Sequence, residues 1–169
     1  VVPLCPSFQL SYPLAGTEIL FGIQQTSDGG FLASGNSSSG NTDILVLKTD
    51  AQGLSQWSRT YGGASTDEAL GALETKDHTG YVIASRTGSF GAGSRDLMLT
   101  RLDRSGNVLW SKTYGGSGDD QTLSLNYTTD GYIITGGTTG FAAGSLDVYL
   151  VRVDTLGNVL FSKTYGSAE

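Results

Sequence analysis

A chain of 169 residues is domain-sized and long enough to bury a core. Its net charge of −6, with no basic stripe, argues against a nucleic-acid partner. The single cysteine, Cys5, excludes an internal disulfide framework, and no apolar run approaches the roughly 18 residues of a membrane span. Only 15% of residues are charged, so Ser, Thr, Asn, Gln and Gly must carry much of the surface. The 25 glycines come with three prolines and no Gly-X-Y period, which assigns the glycine excess to turns. A start at Val1 rather than Met suits a processed protein or a fragment.

Residues 1–16 come first and are expected to form an N-terminal connector strand. Phe8-Gln9-Leu10-Ser11-Tyr12 aligns on Trp110-Ser111-Lys112-Thr113-Tyr114, with Phe8 at the tryptophan position. Phe8, Leu10 and Tyr12 alternate with Gln9 and Ser11, as in a strand with one buried face. Pro6 and Pro13 flank it and favour an edge or isolated strand.

Residues 17–169 divide into three units, about 17–63, 64–116 and 117–169, each with four strand signals. The units are marked by V-L-W-S-K-T-Y-G-G at 108–116, S-Q-W-S-R-T-Y-G-G at 55–63 and V-L-F-S-K-T-Y-G-S at 159–167. Trp57, Trp110 and Phe161 are thus equivalent, 53 and then 51 residues apart. First strands are expected at 18–26, 67–75 and 120–128, where Leu123, Leu125 and Tyr127 show the period of a strand. Asp28-Gly29-Gly30, Asp77-His78-Thr79-Gly80 and Asp130-Gly131 then predict tight turns, because glycine accepts positive φ.

Second strands are expected at 31–34, 81–85 and 132–135, followed by Gly/Ser loops at 35–42, 87–95 and 136–146. Third strands open on Asp43, Asp96 and Asp147, and their continuous apolar runs predict burial on both faces. Lys48, Arg101 and Arg152 recur near their ends and are expected to pair with turn aspartates. Turns at Asp50, Asp103 and Asp154, each with a following glycine, lead to the fourth strand. No segment carries a helical period.

Four short antiparallel strands repeated every ~50 residues is the pattern of propeller blades. The motifs Y-G-G-S-G-D-D at 114–120, D-G-Y-I-I-T-G at 130–136 and D-x-x-G-N-V-L-W at 103–110 resemble the β-propeller repeats of secreted or surface-anchored bacterial and archaeal proteins. The resemblance covers residues 17–166. It implies an extracellular or cell-surface setting and says little about activity. The W-D and G-H marks of WD-type propellers are missing, and Tyr12-Pro13-Leu14 stands where Y-G-G belongs. The expected fold is all-β: three four-stranded antiparallel blades of β-propeller type plus an extra N-terminal strand.

Candidate chemistry is sparse. His78, the only histidine, lies in a turn, and one His with one Cys does not make a zinc or copper site. Asp119-Asp120, Asp67-Glu68 and Glu18 open the first strands, without the spacing of a calcium loop. Gly91-Ala92-Gly93 and Gly136-Gly137 open no helix, so a phosphate cradle is not indicated. Trp57, Trp110 and Phe161 are expected to pack between blades rather than stack on a sugar. Asn36 and Asn126 are N-glycosylation acceptors by sequence.

No catalytic, cofactor or metal residue is assigned. The expected function is that of a non-enzymatic structural repeat protein. It would assemble head-to-tail with copies of itself, as ring or filament, through Phe8, Leu10 and Tyr12, with Cys5 available for an intermolecular disulfide. The alternative is a glycan- or protein-binding propeller fragment of a larger surface protein.

Overall fold

The computed structural model describes residues 16–141 and 146–166. They form twelve strands and no helix. The first sheet holds β1 (Thr17–Gln25), β2 (Phe31–Ser38), β3 (Thr42–Thr49) and β4 (Ser55–Tyr61). The second holds β5 (Asp67–Glu74), β6 (Gly80–Thr87), β7 (Asp96–Asp103) and β8 (Val108–Tyr114). The third holds β9 (Asp120–Tyr127), β10 (Gly131–Thr138), β11 (Asp147–Asp154) and β12 (Val159–Tyr165). Each sheet is an antiparallel meander whose spatial order is its sequence order. The extra strand expected at 8–12, with Cys5, Phe8, Leu10 and Tyr12, lies outside the described residues.

The turns form as their chemistry dictates. In the first hairpin of each sheet a threonine hydroxyl caps the turn aspartate: Thr26 to Asp28 at 2.6 Å, Thr75 to Asp77 at 2.6 Å, Thr128 to Asp130 at 3.2 Å. In the last hairpin one carboxylate oxygen accepts two backbone amides. Asp103 takes those of Ser105 and Asn107, and Asp154 those of Leu156 and Asn158. Gly106 and Gly157 supply the positive φ, at 78° and 77°.

The second strands run past their expected ends at residues 34, 85 and 135 to Ser38, Thr87 and Thr138. Gly35 and Gly136 are therefore strand residues, not loop residues. The reason is a β-bulge in the partner strand, between Leu20 and Gly22 in β1 and opposite Thr135/Gly136 in the third sheet. The bulge presses the neighbouring backbone onto the glycine. A Cβ on Gly35 would overlap the Ile19 carbonyl, and one on Gly136 that of Gln121.

The sheets stack face to face in chain order. Leu32, Ile44 and Val46 of the first meet Ala69, Tyr81, Ile83, Met98 and Leu102 of the second. Val82, Ala84, Leu97, Leu99 and Tyr114 of the second meet Tyr132, Ile134, Tyr149, Val151 and Val153 of the third. The innermost strands carry the stacking, with β5 against β1–β3 and β9 against β5–β7. Trp57 and Trp110 pack, partly buried, against these clusters, as expected of the repeated aromatic.

Candidate functional site

The recurring functional geometry is the seam between one sheet and the next. It can be built from the Y-G-G motif. In the first two sheets the tyrosine at the end of the fourth strand reaches across to the last hairpin of the next sheet. Tyr61 Oη donates to the Gly106 carbonyl at 2.7 Å, and Tyr114 Oη to that of Gly157 at 2.8 Å. Burial pushes the Tyr61 phenol up to about 12 and raises that of Tyr114 as well, so both remain donors. Trp57 Nε1 donates to the Arg104 carbonyl at 3.0 Å and Arg59 Nε to that of Ser105 at 3.1 Å. Lys112 reaches Asn158 at 2.8 Å in the second seam.

The first glycine of the motif makes room for a carboxylate. A Cβ on Gly62 would overlap Asp43, and one on Gly115 would overlap Asp96 and Asp120. The second glycine makes room for side chains of the next sheet's β6–β7 or β10–β11 loop. A Cβ on Gly63 would overlap the Ser89 side chain and fall 3.2 Å from Phe90, and one on Gly116 would fall 3.1 Å from Phe141. The aspartates that open strands are therefore structural acceptors. Asp67 takes the Thr87 hydroxyl and the Gly63 amide, and Asp96 takes the amides of Ala92 and Gly93. Partial burial and then the charge of Asp67 raise the Asp43 carboxyl above its usual range.

The recurring cations pair with turn aspartates in all three sheets. Lys48 lies 2.9 Å from Asp28, Arg152 2.7 Å from Asp130, and Arg101 3.9 Å from Asp77. Lys48 is fully buried and also donates to the Thr49 carbonyl. The Thr26 hydroxyl, followed by Lys48 and the Gly30 amide, overcomes partial burial and holds the Asp28 carboxyl down at about 2. Asp77 is held at about 2 in the same way, by Thr75 first, with Thr79 and Arg101 assisting. Each cation is thus engaged within its own sheet.

Glu74 ties the first seam at the opposite end. Its carboxylate accepts the Ser27 amide and hydroxyl, each at 2.7 Å, and lies 3.5 Å from Arg104 and 3.3 Å from His78. Burial works against its charge, but Ser27 and His78 outweigh it and lower its pKa. His78 is an exposed turn residue with a φ of 54°. Among the described residues no group of three or more His, Cys, Asp or Glu side chains could hold a metal ion.

The two glycosylation sequons have different settings. Asn36 is in β2, not in a loop. It is buried, and its Oδ1 accepts the Ala69 amide at 3.0 Å across the first seam, so a glycan there would break the stacking. Asn126 is exposed on β9.

The third sheet presents the same face without a further sheet on it among the described residues. Val148 is 54% exposed where Leu97 is fully buried, and Tyr165 is 55% exposed where Tyr114 is buried. Leu150, Phe161 and Ile133 complete this face, all half-buried. At the other end, Leu20 and Ile23 of β1 are exposed. Their equivalents pack on the preceding sheet: Ala69 and Ala72 in β5, Leu125 in β9. Ala33, Leu45 and Leu47 on that face of the first sheet are buried, so the open part is its innermost strand. Sequence spacing alone does not reveal these two ends, because the residues repeat while their surroundings do not.

No family model matches the chain. The chain is similar to a protein of Caulobacter vibrioides described as regulatory protein FlaEY, at 24% identity over 89% of this chain. It spans 18% of the length of that protein.

Proposed function

We propose that this chain is a non-enzymatic, propeller-type structural module that stacks in line with further copies of itself. The observation that supports this reading is the pair of complementary open ends. The third sheet exposes Val148, whose equivalents Ile44 and Leu97 are buried, and Tyr165, whose equivalents are partly buried (Tyr61) or buried (Tyr114), and β1 exposes Leu20 and Ile23, which face the preceding sheet in every later one. Removing such surface from water is worth roughly 25 cal/mol per Å². Because donor and acceptor faces differ, the contact is head-to-tail and yields a ring or a filament. Phe8, Leu10 and Tyr12, read as a strand from the sequence, are the proposed connector across that joint, with Cys5 beside it. The resemblance of the repeats to those of secreted and surface proteins supports an extracellular setting for the assembly.

Sedimentation velocity at two concentrations tests the proposal. Wild type should shift to larger species as concentration rises. Val148→Lys should remain a monomer with an unchanged melting temperature, and so should a chain lacking residues 1–12. A wild type that stays monomeric throughout would overturn self-assembly. It would favour a binding module within a longer surface protein, a reading also supported by the small share of the Caulobacter protein that this chain spans.

A further inference from the structure

Between β4 and β8, at the outer part of the first seam, lies a cleft of about 510 Å³. Met98 and Thr100, both buried, form its floor, and the half-exposed ring of Phe90 stands at its mouth. Thr60 lines the β4 side, and Ser111 and Thr113 the β8 side. We propose that this cleft binds a neutral saccharide of one or two rings.

Three observations carry the proposal. First, the volume falls within the roughly 300–1,000 Å³ of small-molecule sites. Second, no Asp, Glu, Lys, Arg or His lines the cleft, so a charged ligand would lose its hydration without gaining a counter-ion. Third, the lining combines an aromatic ring with hydroxyls. Thr100 and Ser111 bond to each other at 3.0 Å, while the Thr60 and Thr113 hydroxyls bond to no other described residue. A pyranose offers the matching surface: a C–H face to lie on the ring and a rim of hydroxyls that donate and accept.

The second seam supplies an internal control. Its equivalent cleft holds about 160 Å³, below the range of ligand sites. There Tyr149 replaces Met98, and its ring centroid lies 5.3 Å from that of Phe141. The repeat has therefore filled one cleft with an aromatic pair and left the other open.

The test is a two-dimensional amide NMR titration of dilute monomer with D-glucose, D-galactose, D-mannose, maltose and cellobiose, and with D-glucuronate as the charged control. At least one neutral sugar should give saturable shifts confined to the amides around Thr60, Phe90, Ser111 and Thr113, with glucuronate much weaker. Phe90→Ala should weaken binding by about tenfold, and Met98→Tyr should abolish it by rebuilding the second-seam pair. Met98 is buried, so the spectrum of that variant must first show a folded chain; if it does not, Phe90→Ala carries the test alone. Absence of saturable shifts with all five neutral sugars, or binding unchanged by Phe90→Ala, would overturn the proposal. The experiment is independent of assembly, since Val148→Lys should bind the same sugar with the same affinity.

Discussion

The second and third sheets are built from nearly the same residues, yet β7 is buried along most of its length while β11 alternates between buried and open positions. Arg101 and Arg152, Trp110 and Phe161, and Tyr114 and Tyr165 occupy matching places. What differs is the neighbour. The second sheet has one on each side, and the third has one among the described residues. Apolar pattern in such a repeat therefore states which surfaces can be covered, and stacking decides which are.

The largest expected effect breaks this comparison at the aromatic position. Trp110→Ala should cost about 3–5 kcal/mol, because the ring packs on the Gly157 turn and the core beneath it. Phe161→Ala in the monomer should cost less than about 1 kcal/mol, since its face is open. Urea unfolding of both variants checks this, and equal losses would refute the contrast between covered and open faces.

A smaller effect is expected at the buried lysine of the first sheet. Asp28→Asn leaves Lys48 buried without its counter-ion, while Asp130→Asn leaves only the half-buried Arg152. Removing a partner from a buried pair costs about 3–5 kcal/mol, but Asp28 is itself 36% exposed, so about 2 kcal/mol is expected there. At Asp130 under about 0.5 kcal/mol is expected. Thermal melts at neutral pH distinguish the two.

The tyrosines give the next contrast. Tyr114→Phe removes the bond to the Gly157 carbonyl and should cost about 1 kcal/mol. Tyr165→Phe should leave monomer stability unchanged and weaken only association.

The smallest effect concerns pH. Glu74 has a lowered pKa in the folded chain, so its contribution is present above its unfolded value, about 4.3, and is lost as pH falls through the folded one. Melting temperature should therefore fall with acid below about pH 4.3, and Glu74→Gln should flatten that slope. Tyr127 occupies this position in the third sheet, so the second seam should lack this component.

Local chemistry made much of the fold legible. The Asp–Gly turns, the four strands per unit and the absence of helix among the described residues rest on residues acting within a few positions of themselves, and the pairing of Lys48, Arg101 and Arg152 with turn aspartates some twenty residues earlier was legible because both partners recur in every unit. The ends of the second strands were not legible. Gly35 and Gly136 look like loop glycines, and only the bulge of the facing strand shows why a glycine is required. The same limit hid the role of Asn36 and the meaning of Y-G-G, whose two glycines answer to side chains far along the chain. The cleft was not legible either, because its walls come from β4, β7 and β8 and from the loop that carries Phe90.

The tyrosine bond across each seam has one more consequence. Tyr61 reaches forward to Gly106, and Tyr114 reaches forward to Gly157. A row of such sheets is therefore a vector. Its leading terminus offers an unengaged phenol, and its trailing terminus an apolar strand. In the proposed assembly, growth and loss at those termini would proceed by different encounters and at different rates. A short peptide bearing the D-T-L-G-N turn should cap the leading terminus alone and leave the trailing one competent.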